Sequence, residues 1–596
     1  MYGYAGRVLH VDLTTGKTHV EPLNEDYAKK YIGGIGLGIR LWLDYSKPGV
    51  EPFSPENPLI LAIGPISGSV WPTGGNGHAF VAKSPQSYGV GEAKSHGSFG
   101  TEMKRAGYDA VIFKGKAEKP VYVWIDDDSV QILDAAHLMG KSPADTEDTI
   151  REELGDYYIR VAAIGPAGEK LVRIACIIND KSRAAGRTGL GAVMGSKNLK
   201  AIAVRGTRDI TVAKPDEFME YVKEFHERMK GPATQKYRTL GTPENVLVHN
   251  SLSCMPTRNY NNSRFEGAEK VSGENLNERF VAKIIGCSSC AMRCEHVCVV
   301  AEGPYKGTMT RMEYEPLWAM GPYCGVDRLD AIIKGMDLCN YYGIDARFGN
   351  HEALVKIIEK MGKREGIGDI LAEGVKTAGE KIGRGAEKLA QHIKGVEVTG
   401  YDLRCLKTAA LGFAVSFRGA DHNRHGAYAF DVKGKVNRLV AEKGRGKMVK
   451  DMEDVYTLID SFIVCKFSRG TYYKELEDMT KLYILVTGIE MTPEEMKRSG
   501  ERINNVARLF NIREGLGRKD DTLPYKVMHM PIPDEGPSKG AYVSQEELDL
   551  LLDDYYMARG WTREGIPTVE KLKELGMDDL IPIVEGKIGK TREAEE

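Results

Sequence analysis

The chain has 596 residues, which corresponds to roughly four domains at about 150 residues each. Its 82 basic and 84 acidic side chains give a formal charge of −2, which argues against a nucleic-acid-binding or polybasic membrane-surface protein. No apolar run approaches the roughly 18 residues of a membrane span, and the first residues lack the apolar segment of a secretory signal. We therefore expect a cytoplasmic protein that crosses no membrane and binds no nucleic acid.

Short apolar runs bounded by turn residues predict a β-rich domain over residues 1–208. Such runs are typical of buried strands, and shorter helical stretches lie between them. The predicted strands cover 7–13, 58–63, 121–125 and 201–204, and the predicted helices lie near 24–31, 100–106 and 142–154.

Helical spacing of apolar residues dominates from residue 209 onwards. It predicts helices over 217–229, 328–342, 351–363, 367–382, 448–464 and 493–510, with a glycine-broken stretch at 414–430. The polar residues 432–448 are expected to form a solvated surface segment, and the charged end at 586–596 to be frayed. We predict an α+β fold, in which a β-rich N-terminal domain at 1–208 is followed by mainly α-helical domains at 209–410 and 411–596.

The sharpest local signal is a C-x2-C-x3-C motif formed by Cys287, Cys290 and Cys294. Four of the ten cysteines lie within 287–298, and in a reducing compartment such clustering indicates metal ligation rather than disulfides. Iron–sulfur clusters and zinc both select thiolates, but a structural zinc site normally has two separated ligand pairs, which favours an iron–sulfur cluster over zinc or unligated cysteines. The fourth ligand is either Cys298, one helical turn beyond Cys294, or the distant Cys465.

A glycine-rich, basic stretch at 183–201 has the composition of an anion-binding loop, because glycines allow close backbone approach and basic side chains suit a phosphate. Together with residues 3–9 and 555–568, this stretch resembles the aldehyde ferredoxin oxidoreductase family, the tungsten bis-pyranopterin enzymes. The resemblance covers nearly the whole chain. It implies that the β-rich domain is the platform for two pterins, whose sulfurs hold the metal, tungsten or molybdenum, without a protein ligand.

The resemblance also implies which residues hold the cofactors. One [4Fe–4S] cluster would be bound by Cys287, Cys290, Cys294 and Cys465, which makes Cys298 a buried small residue. Each pterin would be held by a D-x-x-G-L-(D/C) type motif, with Asn340 replacing the usual aspartate in the first copy and Ile463 replacing glycine in the second. The implied cofactor-binding residues are Arg183, Ala184, Gly186, Arg187, Asn340, Gly343, Ile344, Asp345, Asp460 and Val464.

Acid–base candidates lie in two segments. Glu313 and Glu315 stand in an otherwise apolar setting and would point to the same side of an extended segment. A carboxyl desolvated there could accept a proton, and Glu315 matches the family's metal-proximal glutamate. His422 matches the family's active-site histidine, and imidazole can pass protons near neutral pH. The additional His425 either lines the pocket or packs in the core.

Several residues depart from the family pattern. Asn76 stands where an arginine usually links cluster and pterin. Lys94 stands where an asparagine often helps to hold a magnesium ion that bridges the pterin phosphates, and a lysine could neutralise phosphate charge directly. Lys334 replaces a carboxylate that some relatives use for an iron at a dimer interface. Cys254 lies near a substrate-side loop, either packed or as a pocket thiol.

The function implied by the resemblance is oxidation of a small aldehyde by water to a carboxylic acid. Electrons would leave through the cluster to ferredoxin or to an iron–sulfur partner subunit, and a homodimer or hetero-oligomer is expected. The first alternative keeps the cofactor but makes the chain a dearomatising reductase subunit of the benzoyl-coenzyme A type. The second alternative is an iron–sulfur electron carrier without a substrate.

Overall fold

Two six-stranded mixed sheets form the first third of the protein in the computed structural model, which describes residues 1–345 and 351–586. The first sheet has the order β2-β1-β6-β3-β4-β5, and every residue of β3 and β4 is buried. Its strands are β1 (Arg7–Asp12), β2 (Thr18–Pro22), β3 (Leu59–Ala62), β4 (His78–Lys83), β5 (Val90–Ser95) and β6 (Ala110–Lys114).

The second sheet has the order β11-β10-β9-β12-β7-β8. Strand β12 pairs in parallel with β7 and antiparallel with β9, so the sheet is mixed. Its strands are β7 (Val121–Asp126), β8 (Ser129–Asp134), β9 (Arg160–Ile164), β10 (Ile177–Asn179), β11 (Arg183–Ala185) and β12 (Leu199–Arg205). The predicted β-rich character of this region is confirmed.

Six helices accompany these sheets. The apolar α2 is buried along most of its length because it packs between the first sheet and the helices α20 and α22 of the C-terminal third. The six are α1 (Glu25–Tyr31), α2 (Gly34–Tyr45), α3 (Phe99–Ala106), α4 (Pro143–Leu154), α5 (Pro166–Glu169) and α6 (Leu190–Ser196).

The middle third is mainly helical but contains a three-stranded antiparallel sheet, ordered β13-β14-β15, that the helical periodicity did not predict. The cysteine motif lies in the loop between β13 and β14. The helices are α7 (Pro215–Lys230), α8 (Gln235–Thr239), α9 (Asn245–Ser251), α10 (Gly273–Arg279), α11 (Tyr314–Met320), α12 (Leu329–Tyr342), α13 (His351–Lys363), α14 (Ile367–Leu371), α15 (Val375–Ile382) and α16 (Ala386–Leu389), and the strands are β13 (Val281–Ile285), β14 (Glu295–Val299), β15 (Met309–Met312), β16 (His392–Ile393) and β17 (Val396–Glu397).

The C-terminal third is helical in the described part of the chain, so the predicted α+β class is confirmed. The long α20 and α22 pack against each other and against α2, which brings the end of α20 to the N-terminal sheets. The helices are α17 (Lys407–Val415), α18 (His422–His425), α19 (Tyr428–Val432), α20 (Arg445–Phe462), α21 (Glu475–Thr487), α22 (Pro493–Arg513), α23 (Tyr525–His529), α24 (Gln545–Arg559), α25 (Val569–Glu574) and α26 (Ile581–Val584).

Two helix predictions need correction, and one prediction falls largely outside the described residues. The helix predicted over 367–382 is two helices, because the chain turns at Gly374, whose φ is +81°. Most of 432–448 is exposed as expected, but α20 already begins at Arg445, whose side chain is buried. Of the end expected to be frayed, 587–596 lies outside the described residues. Within 1–345 and 351–586, no helix is both long and apolar enough to span a membrane.

A close backbone contact joins the N-terminal sheets to the end of α20. Gly64 lies against the Phe462 carbonyl, and a Cβ at position 64 would be 2.7 Å from the carbonyl carbon. That distance is too short for any side chain, so glycine is required here if the segment 460–465 is to rest on the first sheet.

We predict that Gly64→Ala lowers the stability of the protein by about 1–3 kcal/mol, because the added methyl group overpacks a backbone contact. The midpoint of thermal unfolding, measured by circular dichroism, reports the change. The control is Gly517→Ala, since a Cβ at Gly517 would meet no described atom within 4 Å. An unchanged midpoint for Gly64→Ala would contradict the assigned contact.

Candidate active site and cysteine centre

The cysteine motif folds as a loop that brings three thiols next to a fourth from the C-terminal third. Cys287, Cys290, Cys294 and Cys465 are all partly buried. Burial, together with the neighbouring Cys290 and Cys287, raises the pKa of the Cys465 thiol to about 12. Burial also raises the pKa of Cys294, with Cys465 as the strongest neighbouring charge. The Cys465 thiol, which follows Cys294 by 171 positions in the sequence, therefore lies beside the C-x2-C-x3-C loop.

The expectation that Cys298 lies one helical turn beyond Cys294 is wrong, because the chain continues from Cys294 into strand β14. Cys298 is opposite Thr310 in the sheet, is fully buried and belongs to the main apolar core. Its Sγ lies 3.8 Å from the His296 carbonyl oxygen. This residue is part of the packing of the small sheet.

The donor chemistry of the loop suits an iron–sulfur cluster, because four cysteines are the usual ligand set of such a cluster. Among the described residues, no group of three or more His, Cys, Asp or Glu side chains is already arranged to hold a metal ion. The ligand assignment itself stays a prediction.

Asp460, in the second pterin-type motif, is buried among three cations. Its carboxylate lies 2.6 Å from the ammonium groups of both Lys94 and Lys466, and Arg424 also contacts it. Burial alone would raise the Asp460 pKa, but Lys466, Lys94 and Arg424 together lower it far below its usual range. Lys94 also donates to the Val464 carbonyl at 3.0 Å. Lys94 is thus engaged by protein groups, and both its contact with phosphate and a magnesium ion stay predictions.

Ile463 adopts an uncommon backbone conformation next to Cys465. Its φ is +61°, in the left-handed region that β-branched residues rarely adopt, at the end of α20. The side chain is buried and lies against Gly34 and Gly77. Packing of the Ile463 side chain therefore holds the turn that leads to Cys465 in this conformation. A glycine at position 463 would adopt the same conformation without strain.

The segment 183–187 contacts the cysteine loop through a shared acid. Arg183 forms an ion pair with Glu295, which also lies 3.2 Å from Arg311. Glu295 directly follows Cys294, so the predicted phosphate-binding segment is attached to the end of the cysteine loop. Arg187 donates to the Glu397 carbonyl. Ala184 pairs with Ile178 in the β10–β11 ladder, and Gly186 follows that ladder.

The first pterin-type motif, residues 340–345, packs beside the second sheet. Asn340 donates to the Thr310 hydroxyl at 3.0 Å, and Gly343 ends α12 with a left-handed φ of +69°. The Gly343 carbonyl accepts from the Cys176 amide at 2.8 Å, and the Asp345 amide donates to the Ile174 carbonyl at 3.1 Å. The motif, including Ile344, which bridges to Ala175, is therefore attached to the edge that leads into β10.

Asn76 links the first sheet to the cysteine loop. Its Nδ2 donates to the Ser288 carbonyl at 2.8 Å, while its Oδ1 is buried without a hydrogen-bond partner among the described residues. The asparagine thus joins the segment that leads into β4 to the cysteine loop.

The cleft between these motifs holds buried cations that repel one another. Burial lowers the pKa of Arg418 to about 10; Glu92 opposes the shift, and Arg424 and Arg187 add to it. Burial and the neighbouring Arg183 likewise lower the pKa of Arg311 to about 10. Arg418 also pairs with Glu92 at 2.8 Å and with Asp421, and Arg311 pairs with Glu295 at 3.2 Å. The Nε atoms of Arg418 and Arg424 are buried without a hydrogen-bond partner among the described residues, and such donors fit a pterin cofactor with phosphate groups.

Glu315 and His422 face each other across the helical part of the cleft. Glu315 lies in the first turn of α11 and His422 is the first residue of α18. Glu315 Oε1 is 3.5 Å from His422 Nδ1, and Glu315 Oε2 accepts from the Gly400 amide at 3.1 Å. The Tyr401 ring lies 4.9 Å from the imidazole between centroids. The carboxylate and the imidazole therefore lie side by side, and their roles in proton transfer stay predictions.

Glu313 and Glu315 do not lie in one extended segment, as a shared side would require, because the chain turns into α11 between them. Glu313 precedes the helix and accepts from the Thr242 hydroxyl. Burial raises its pKa, and the Thr242 hydrogen bond partly offsets that shift. The two carboxyl groups therefore have different surroundings.

A cavity of about 110 Å³ connects Glu315 with the first motif. Its walls are formed by Cys176, Ala184, Glu315, Pro316, Met336, Asn340, Ile344 and Asp345. Glu315 therefore lines the same small cavity as residues predicted to hold a pterin.

Two of the remaining sequence candidates, His425 and Cys254, lie in packed positions, and the third, Lys334, is partly exposed. His425 is fully buried with its ring 4.9 Å from Phe413, and burial lowers its pKa to about 3. Cys254 is buried in the main core. Lys334 forms an ion pair of 2.8 Å with Asp337 in the same helix.

Sequence reasoning did not select three of the residues that shape this cleft: Arg424, Lys466 and Tyr401. Arg424 lies two residues after His422, and Lys466 directly follows Cys465. The signal available in the sequence was that each of these basic residues lies within two positions of a candidate site residue. No pattern marked Tyr401, whose place depends on tertiary packing.

Comparisons with known proteins agree over nearly the whole chain. A family model described as the N-terminal domain of aldehyde ferredoxin oxidoreductase matches residues 8–206, and one described as domains 2 and 3 matches 220–346 and 345–577. The chain is 38% identical to the tungsten-containing aldehyde ferredoxin oxidoreductase of Pyrococcus abyssi, over 98% of this chain and 100% of that protein. It is 30% identical to the WOR-like subunit of an aliphatic sulfonate oxidoreductase of Pyrococcus furiosus, over 97% and 98% of the two chains.

A solved structure is also similar. The chain matches the active site complex BamBC of benzoyl coenzyme A reductase, bound to 1,5-dienoyl-CoA, with a TM-score of 0.81 and 27% identity. The match covers 98% of this chain and 99% of that chain.

We predict that Cys465→Ala abolishes assembly of the cluster, whereas Cys298→Ala does not. Removing one of four thiolate ligands exposes the cluster to loss, while Cys298 only packs. Iron per chain and the visible absorbance of anaerobically purified protein measure the outcome. A variant lacking the Cys465 thiol that binds iron like the parent would rule out the fourth ligand proposed from the resemblance.

Proposed function

The chain belongs to the aldehyde ferredoxin oxidoreductase family, and we propose that it oxidises a small aldehyde with water to a carboxylic acid. It is an oxidoreductase, and the electrons are proposed to leave through a [4Fe–4S] cluster to ferredoxin or an iron–sulfur partner subunit. The observation that carries the proposal is the Glu315–His422 pair, at 3.5 Å, in which Glu315 lines the same cavity as residues of the first pterin-type motif.

The cofactor assignment follows from the cleft. A bis-pyranopterin carrying tungsten, or molybdenum, would be held by the motifs at 340–345 and 460–465, with its phosphates near the basic segment 183–187. When bound, this group supplies the two-electron oxidation and passes electrons to the cluster. The cluster would be held by Cys287, Cys290, Cys294 and Cys465.

The chain's own residues supply orientation and proton transfer. The Gly400 amide fixes one oxygen of Glu315, which leaves the other directed at His422 Nδ1. Glu315 can therefore accept a proton from the water that becomes the product oxygen, and His422 can carry it away. The Tyr401 ring restricts the imidazole to this orientation.

Similarity to the benzoyl coenzyme A reductase complex supports a second candidate, reduction of an aromatic thioester. One feature favours the aldehyde: the relatives with higher identity are tungsten-containing aldehyde ferredoxin oxidoreductases, at 37–38%, against 27% for the benzoyl coenzyme A reductase complex. An electron carrier without a substrate is not supported, because the similarity to enzymes extends over almost the whole chain. Location, electron acceptor and oligomeric state stay predictions.

The direct test is a dye-linked assay of protein expressed anaerobically with tungstate. We expect reduction of the dye by aliphatic or aromatic aldehydes and none by 1,5-dienoyl-CoA, the reduced thioester whose oxidation the second candidate would catalyse, or by aliphatic sulfonates. Activity confined to a thioester or a sulfonate would replace the proposed substrate class.

We predict that Glu315→Gln lowers kcat/KM for the aldehyde by about 100- to 10,000-fold, because a carboxamide cannot accept the proton. Tungsten and iron contents should match the parent. The matched control is Glu302→Gln, which removes an exposed carboxyl group. Parental turnover by Glu315→Gln would remove the assigned role.

The double variant Glu315→Gln/His422→Asn should lose less activity than the product of the two single losses. Residues that transfer one proton as a unit are strongly non-additive. A double-variant loss equal to the product would show that the two side chains act independently.

A further inference from the structure

His96 lies in a backbone segment that is held firmly to the second sheet. The residue follows β5, and its carbonyl accepts from Asn179 Nδ2 at 2.8 Å. Ser95 donates to Asn179 Oδ1 at 2.7 Å, and the Ser98 amide donates to Asp180 at 2.8 Å. Hydrogen bonds before, at and after position 96 leave the imidazole little freedom to move.

The imidazole lies where the second pterin-type motif meets the first sheet. A Cβ at Gly77 would be 2.7 Å from His96 Nδ1 and would also collide with the Ile463 side chain. His96 and Ile463 therefore cover the same glycine, one residue beyond Asn76. The ring therefore lies against Gly77, directly before β4, and beside Ile463 of the Asp460–Cys465 motif.

The charges around His96 keep its ring neutral. Burial lowers its pKa well below the usual value, and Lys94 and Arg183 lower it further. A neutral imidazole has one N–H donor and one lone-pair acceptor. Nδ1 is buried and has no hydrogen-bond partner within the described ranges of the chain. A buried polar atom left in this state costs free energy, so a bound group is expected to satisfy it.

The phosphates have better partners nearby, since Lys94 and Arg183 carry the positive charge. A neutral ring nitrogen suits instead the edge of a pterin, which carries N–H, amino and carbonyl groups. We propose that His96 hydrogen-bonds through Nδ1 to the ring edge of the pterin held by the Asp460–Cys465 motif and so positions it beside the cluster. This inference rests on the cofactor of the proposed function.

The test uses full-length protein purified anaerobically from tungstate-supplied cells. Parent, His96→Ala, His96→Asn and the surface control His137→Ala are compared for tungsten, pterin and iron per chain over time. We expect His96→Ala to release tungsten and pterin about 10- to 100-fold faster than the parent, as loss of supporting hydrogen bonds does at metal sites. His96→Asn should retain both, because its carboxamide reaches the position of Nδ1. Iron content and thermal midpoint should be equal in all four proteins.

Each other result identifies what has failed. Parental retention of tungsten and pterin by His96→Ala overturns the role of His96 alone. Equal losses in the alanine and asparagine variants, or loss of iron with tungsten, show a structural role and also overturn it. A parent protein without tungsten, molybdenum or pterin overturns the proposed function itself.

Discussion

The buried carboxylate of Asp460 determines how the parts of the site meet. A carboxylate removed from water is stable only when cations and hydrogen bonds replace its solvation. Here the cations come from three places in the chain: Lys94 on β5, Arg424 on α18 and Lys466 directly after Cys465. One charge centre therefore ties the first sheet, the segment with the proposed active-site histidine and the thiol of the C-terminal third.

Sequence patterns predicted the parts of the fold with strong periodicity. The apolar runs behind β3 and β7 and the long amphipathic stretches behind α12 and α22 are of this kind. The small sheet β13–β15 was missed because its strands are short, and β13 is partly exposed and has no alternating apolar pattern. The extended arrangement of Glu313 and Glu315 was wrong for a related reason: a helix begins between them, and its start depends on a contact with Thr242, 72 residues from Tyr314.

The candidate site likewise has residues that the sequence predicted and residues that it did not. The cysteine spacing and the second motif led to Cys465 because residue types and resemblance were sufficient. The partners of Asp460 could not be read from the chain, since Arg424 is separated from it by 36 positions and only the packing of α18 against α20 joins them. Asn76 shows the limit of a substitution argument, because the shorter side chain still reaches the cysteine loop.

Glu295 is a second buried carboxylate that, like Asp460, holds several segments of the proposed site together through ion pairs. It directly follows Cys294 and contacts both Arg183, from the predicted phosphate-binding segment, and Arg311, on β15. Strand β15 leads within three residues to Glu315. The end of the cysteine loop, the phosphate-binding segment and the strand that precedes the proposed base are therefore held by one carboxylate. Because the ions are buried, a shift of one changes the charge balance of the others, so these three segments of the chain are positioned as a unit.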